Sequence, residues 1–203
     1  AMTPRFTPIP FDAEFDLSEA EKTPMPSIDL GAGDFWVFGY GSLMWDPGFP
    51  HEEAQPCTVH GWHRAFCVWS NHYRGTTDRP GLVLGLAAGG SCRGRAFRVS
   101  AIDREAVLDY LYRRELVNGV YRPVPVSGRL STGPARVLAF VVATDHWEYA
   151  GKKSLEETAA IIAVAHGKRG PNRDYLANTV AHLDQLGLAD GSLHRLLGLV
   201  RRL

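Results

Sequence analysis

From residue 34 onward the apolar positions come in short runs of aromatic, β-branched and small residues bounded by Gly or Pro, at 34–38, 58–69, 83–88 and 93–99. Each run predicts a strand, and Gly89-Gly90 predicts a hairpin turn between the last two. Between 103 and 116 the period changes: Val107, Leu108, Leu111, Tyr112 and Leu116 recur at helical spacing. Ser100 or Asp103 can cap this helix at its start, and Gly119 lies where a left-handed residue often ends one. Two further strands are expected at 121–126 and 136–143. The last quarter reads as helical. Ser154 and Glu157 form a capping box ahead of a helix over 159–166. Asn172 is expected to cap a helix that ends before Gly187, and Ser192 to open a last helix to 203.

Strands first and helices afterwards predict an α+β domain. The strand–helix alternation of a parallel sheet is missing, and short, closely spaced strands favour a small curved or barrel-like sheet. Residues 1–33 stand apart as a partly ordered N-terminal arm. Pro4, Pro8, Pro10, Pro24 and Pro26 interrupt it, acids cluster at 12–21, and no period is sustained. Phe6, Phe11 and Phe15 are its candidate anchors on the domain at 34–203.

Charge and cysteine usage narrow the function. Lys plus Arg and Asp plus Glu both number 22, so the formal charge is zero with His neutral. A nucleic-acid-binding surface needs a basic excess, and no apolar run is long enough to span a bilayer. Neither nucleic acid nor membrane is therefore an expected partner. Three cysteines, Cys57, Cys67 and Cys92, do not make a disulfide framework, and a reducing cytoplasm is the simplest setting. Cys57, His60, His63 and Cys67 lie close in sequence, but strand parity turns His60 away from the other three. No zinc spacing is present, so no metal is expected.

The stretch Trp36-Val37-Phe38-Gly39-Tyr40-Gly41-Ser42-Leu43-Met44-Trp45 carries the strongest chemical signal. A strand is expected to run into two closely spaced glycines, where the backbone can turn and approach a ligand. Consecutive N–H groups in such a loop can form a concave anion site. A tight turn without a ligand accounts for Gly-x-Gly equally well, since neither the dinucleotide fingerprint nor the phosphate-loop lysine is present. Ser42 does not match the nucleophile elbow and is expected to act by hydrogen bonding. Glu115 lies three residues after Tyr112 and four after Leu111, on the apolar stripe near the helix C-terminus. Burial and the helix dipole both raise the pKa of a carboxyl placed there. Pairing with Arg113, Arg114 or Arg122 is the competing reading. Arg74-Gly75-Thr76 with Arg79-Pro80-Gly81 reads as an exposed hairpin or as a clamp for a carboxylate. Lys152-Lys153 reads as a solvated lead into a helix.

From Trp36 to the C-terminus the chain resembles the ChaC family, the glutathione-specific γ-glutamylcyclotransferases. The likeness is carried by Tyr40-Gly41-Ser42-Leu43 and Trp45-Asp46-Pro47-Gly48-Phe49, then by the Arg74 and Arg79 segments. Arg114-Glu115, Tyr121, Tyr149-Ala150-Gly151, Ser154-Leu155-Glu156-Glu157 and His166-Gly167-Lys168-Arg169-Gly170-Pro171-Asn172 complete it. The resemblance implies a compact mixed β-barrel with flanking helices, no cofactor, and glutathione as substrate. It implies Glu115 as the catalytic acid–base group. It also implies that Val37, Phe38, Gly39, Tyr40, Gly41, Ser42 and Leu43 bind the γ-glutamyl end, with Arg74, Tyr121 and Tyr149 as further substrate contacts. In the family reaction the α-amine of the γ-glutamyl group attacks its own γ-carbonyl, releasing 5-oxoproline and cysteinylglycine. A cyclotransferase for other γ-glutamyl amino acids or amines, and a non-catalytic binding module, are the alternatives.

Overall fold

The computed structural model describes residues 26–203 except residue 117; the arm's expected anchors Phe6, Phe11 and Phe15 lie outside the described residues. The chain divides into two compact units. The first takes residues up to 63 together with 88–143, and the second takes 64–87 with 144–203.

The first unit is built on a closed barrel. Its strands are β1 (Phe35–Gly39), β2 (Glu53–Ser70), β3 (Gly81–Val99), β4 (Tyr121–Leu130) and β5 (Gly133–Val142), in the order β1-β3-β2-β4-β5. β2 and β3 are long enough to contribute to both units. β1 is central: it pairs antiparallel with β3, Val37 opposite Phe97, and parallel with β5, Val37 opposite Leu138. A strand paired on both edges and covered on its faces needs apolar residues throughout, and Phe35, Val37 and Phe38 are all buried. β4 and β5 form a hairpin closed at Leu130–Gly133. Pro123 and Pro125 precede the points at which β4 pairs with β2, Thr58–Arg129 and Val59–Gly128. Their missing N–H groups thus fall where no β2 acceptor waits.

The pair Gly89-Gly90 does not make a hairpin. Both glycines lie inside a single 19-residue β3, at φ +98° and +70°. His63 lies beside them: its Nδ1 is 3.0 Å from the Gly89 carbonyl, and a Cβ on Gly90 would sit 3.4 Å from the His63 Cβ. Two left-handed glycines bend the strand here and let it continue, as a bulge does.

Helix α1 (Arg104–Glu115) closes one side of this unit. Val107, Tyr110, Leu111 and Tyr112 enter a core with Phe49, Phe97 and Phe140, against which Ile28 and Leu30 of the leading segment also pack. Each such side chain contributes about 1.5–3 kcal/mol by leaving water. Asp103 occupies the N-cap position without a side-chain capping bond. Gly119, at φ +71°, follows the helix as expected.

The second unit holds α2 (Leu155–Val164), a two-stranded ribbon of β6 (His166–Gly167) and β7 (Gly170–Pro171), α3 (Asn172–Gln185) and α4 (Gly191–Val200). The expected capping box is present: Ser154 Oγ accepts from the Glu157 N–H at 3.1 Å, and Glu157 Oε2 accepts from the Ser154 N–H at 2.8 Å. α2 stops two residues earlier than its pattern suggests, because His166 and Gly167 pair with Pro171 and Gly170. Two capping assignments also change. Asn172 does not cap α3; it is wholly buried, with its amide turned onto β3. Asp190, not Ser192, caps α4 by accepting from Ser192 and Leu193 N–H groups. Lys153 is not simply solvated, since its Nζ lies 5.0 Å from the centre of the Trp69 ring.

Candidate functional site

β1 ends one residue later than predicted, at Gly39, and the chain turns through Tyr40 and Gly41 into a single 3₁₀ turn, Ser42–Met44. Gly39 lets the turn pack closely: a Cβ there would stand 3.1 Å from the Leu43 carbonyl carbon and the Met44 nitrogen, a crowded contact. The first bond of the turn runs from the Met44 N–H to the Gly41 carbonyl at 2.9 Å. The N–H groups of Ser42 and Leu43 therefore have no acceptor within the turn. Val37, Phe38, Tyr40 and Leu43 bury their side chains, and the Tyr40 hydroxyl donates to the Phe140 carbonyl at 2.9 Å. Gly41, half-buried, and Ser42, exposed, are the parts of this loop that reach the surface.

Glu115 is the last residue of α1. Its side chain retains 18 % exposure, and its Oε1 lies 3.3 Å from Arg114 Nε. Burial raises its pKa above the usual carboxylate range, and the Arg114 charge opposes that rise. Burial and pairing with Arg114, which the sequence offered as competing readings, thus both apply to the Glu115 side chain.

The sequence offers Arg114 as a pairing partner of Glu115 and as part of the Arg114-Glu115 motif, and in the structure it does more. Its Nη2 donates to Ser42 Oγ at 3.0 Å. Its Nη1 donates to the carbonyls of Asp46 at 2.8 Å and Pro47 at 3.1 Å, and to the Tyr110 hydroxyl at 3.2 Å. One guanidinium joins the 42–47 segment to the end of α1. Gly48, at φ +71°, makes room for it, since a Cβ there would overlap the Tyr110 hydroxyl. Tyr121, opposite Val142 at the start of β4, is half-buried and packs against the core that α1 enters. These residues all belong to the first unit.

Arg74 and Tyr149 belong to the second unit. Arg74 Nη1 donates to the Arg169 carbonyl at 2.7 Å, and the guanidinium lies over the Tyr175 ring at 5.2 Å. Gly75 and Gly81 bring two backbones together there, because a Cβ on Gly81 would overlap the Arg74 carbonyl. The turn closes between Thr76 and Arg79, with bonds of 3.0 and 3.2 Å. Tyr149 bridges to Val68, and its N–H donates to the His146 carbonyl at 2.9 Å.

Cys57, Cys67 and Cys92 are buried free thiols. Burial pushes Cys57 up to about 11 and Cys67 up to about 12, so both stay protonated at neutral pH. Among the described residues no group of three or more His, Cys, Asp or Glu is gathered to hold a metal ion, and no helix is long and apolar enough to cross a membrane.

The chain is similar to proteins of known activity over this whole region. It is 37% identical over 172 residues to the glutathione-specific γ-glutamylcyclotransferase of Escherichia coli, covering 84% of this chain and 74% of that one. It is 35% identical over 177 residues to γ-glutamylcyclotransferase 2-3 of Arabidopsis thaliana, covering 83% and 89%. A crystal structure of a yeast γ-glutamylcyclotransferase specific to glutathione superposes with a TM-score of 0.75 at 24% identity, covering 84% of this chain and 96% of that one. That likeness establishes the fold, the barrel with flanking helices. A sequence profile described as ChaC-like protein matches residues 35–203, from the first residue of β1 to the C-terminus, and the chain belongs to that family.

Proposed function

We propose that this protein is a glutathione-specific γ-glutamylcyclotransferase, converting glutathione to 5-oxoproline and cysteinylglycine in the cytoplasm. The observation that carries the reading is Glu115, a carboxyl with a raised pKa at the end of α1, tied through Arg114 to the Ser42 turn. The name of the Escherichia coli relative supports glutathione as the substrate. The buried free thiols suit a reducing compartment.

The reaction is a proton-managed ring closure. The substrate α-amine arrives as an ammonium, and the Glu115 carboxylate takes one proton from it. The freed lone pair attacks the γ-carbonyl carbon, forming the ring C–N bond and pushing charge onto the carbonyl oxygen. When the tetrahedral centre collapses, the bond to the cysteine nitrogen breaks, and Glu115 returns its proton to that nitrogen. The ring nitrogen gives up its second proton, which ends on the departing amine, leaving a neutral lactam and an ammonium. One carboxyl thus serves as base and then as acid, and the rise of its pKa with burial suits both duties better than an ordinary carboxyl would. The nucleophile is tethered to its target, so catalysis rests on selecting a folded conformer of the substrate. In this reading the N–H groups of Ser42 and Leu43 and the Ser42 hydroxyl hold anionic oxygens of the γ-glutamyl group. Tyr121, Arg74 and Tyr149 remain proposed substrate contacts.

The test is incubation of the purified protein with glutathione, α-Glu-Cys-Gly, γ-glutamyl amino acids and γ-glutamylamines, with 5-oxoproline as the readout. Release is expected from glutathione and not from the α-linked peptide, whose amine cannot close a five-membered ring on the scissile amide. Absence of 5-oxoproline from glutathione overturns the proposal, and faster release from other γ-glutamyl compounds overturns the specificity.

A further inference from the structure

Arg114 and Glu115 are adjacent in a helix, where neighbouring side chains normally diverge. Here Arg114 folds back so that its Nε reaches the Glu115 carboxylate while its two terminal nitrogens reach across to the 42–47 segment. Its side chain is only 12 % exposed, so these bonds compete little with water. A planar fork with donors on three nitrogens can hold such a set in one geometry. We infer that Arg114 is a positioning residue for the reaction: its guanidinium couples the Ser42 turn to the Glu115 carboxylate, so that loop and acid–base group keep a fixed register.

Two consequences follow from the geometry, the second resting on the cyclotransferase reading. Arg114 is the charge that opposes the effect of burial on Glu115, and the titratable group sharing its guanidinium is Tyr110. Removing the charge therefore leaves burial unopposed and moves the Glu115 titration to higher pH. Ser42 Oγ accepts a hydrogen bond from Arg114, which turns the hydroxyl proton away from the arginine and leaves it to donate elsewhere. An oxygen of the γ-glutamyl group is the acceptor this arrangement suits. Arg114 would thereby orient Ser42 as a donor as well as set the protonation of Glu115.

Two variants separate these effects. Arg114→Lys keeps the positive charge and loses the fork; Arg114→Met keeps the stem and loses both. Carboxyl ¹³C NMR of glutamate-labelled protein, assigned with Glu115→Gln, reads the Glu115 titration without any substrate. The midpoint is expected to move up in Arg114→Met and to stay near that of the parent in Arg114→Lys. With glutathione, both variants are expected to lose about 10²-fold in kcat/KM through misplacement of the loop. In Arg114→Met the acid limb of the pH profile should also move to higher pH. A merely bracing arginine would lower thermal stability without moving the titration or the acid limb. A folded Arg114→Met protein with the parent's midpoint and kcat/KM overturns the inference. Should that variant fail to fold, a parental kcat/KM in Arg114→Lys overturns it. If the parent itself releases no 5-oxoproline, the cyclotransferase reading fails, and the NMR midpoint alone still decides the coupling.

Discussion

Asn172 satisfies both backbone groups of Leu82: its Oδ1 accepts from the Leu82 N–H at 2.7 Å, and its Nδ2 donates to the Leu82 carbonyl at 2.8 Å. Its own N–H donates to the Ala165 carbonyl at 2.9 Å. A side-chain amide copies a strand edge here, tying the start of β3 and the end of α2 to the start of α3. Both Asn172 and Leu82 are wholly buried. Replacing Asn172 with Ala leaves a buried donor and a buried acceptor unmatched, each costing about 1–3 kcal/mol. Asn172→Ala is expected to lose about 3 kcal/mol of stability, measured as a lowered urea midpoint with an unchanged slope. A change within about 0.5 kcal/mol, the range of ordinary surface substitutions, would show that water replaces the amide.

Gly48 and Gly31 offer a matched comparison. Their φ angles are +71° and +73°, but a Cβ on Gly31 meets nothing within 4 Å, whereas one on Gly48 overlaps the Tyr110 hydroxyl. Gly31→Ala is expected to lose only the backbone component, of order 1 kcal/mol. Gly48→Ala should lose more, and should also lower 5-oxoproline release, because Tyr110 and Gly48's neighbour Pro47 both receive bonds from Arg114. Thermal unfolding and kcat/KM of the two proteins check this. Equal effects of the two substitutions would mean that the crowding beside Arg114 is relieved without consequence.

His194 predicts a small pH dependence of stability. Its Nδ1 lies 2.7 Å from the Asp190 carbonyl and its Nε2 lies 2.9 Å from Asp184 Oδ1, so both ring nitrogens face acceptors and the imidazolium satisfies them best. The Asp190 bond and the Asp184 charge raise its pKa above the usual histidine value. A group whose pKa is raised on folding stabilises fully below its unfolded pKa, and the benefit is lost as pH rises through the folded pKa. The side chain is 39 % exposed, which limits the effect to about 0.5 kcal/mol. The stability difference between parent and His194→Gln is expected to be larger near pH 5.5 than at pH 8.5, on either side of the ordinary histidine value of about 6.5. Denaturant midpoints at the two pH values measure it, and a difference that grows with pH would contradict the assignment.

What could be read in the sequence was chiefly local. The Ser154–Glu157 capping box and the glycines after α1 and α3 were identified because each depends on residues a few positions apart. The alternation and spacing of apolar runs were enough to expect a barrel rather than a doubly wound sheet. Gly89-Gly90 misled because left-handed glycines serve a bulge as well as a turn, and their contact with the His63 side chain comes from 26 residues away. Asn172 misled in the same way, since its partner Leu82 is 90 residues distant. Glu115 stood out through its place on an apolar stripe. Arg114 did not, because its reach to Ser42 spans 72 residues and has no periodic signature.

Glu115→Gln is the decisive substitution for the proposed chemistry. It preserves the size of the side chain and an oxygen that can accept from Arg114, so the contact at 3.3 Å can survive in part and the fold should be retained. It removes the group proposed to take a proton from the α-amine and to return one to the leaving nitrogen. General acid–base groups contribute about 10²–10⁴-fold in rate. Two duties fall to this one carboxyl, so the loss in kcat is expected in the upper part of that range. Glutathione binding should weaken far less, because the N–H groups and hydroxyl of the Ser42 turn are proposed to supply much of the hold. In the parent, kcat/KM should rise with pH through one ionisation above the usual glutamate value, since burial raises the Glu115 pKa and the carboxylate is the active form of the base. The measurements are 5-oxoproline release across pH, calorimetric binding of glutathione to Glu115→Gln, and circular dichroism of both proteins. A folded Glu115→Gln protein that releases 5-oxoproline at the parent's rate would remove Glu115 from the mechanism and move the search to Tyr121, Tyr149 or another carboxylate.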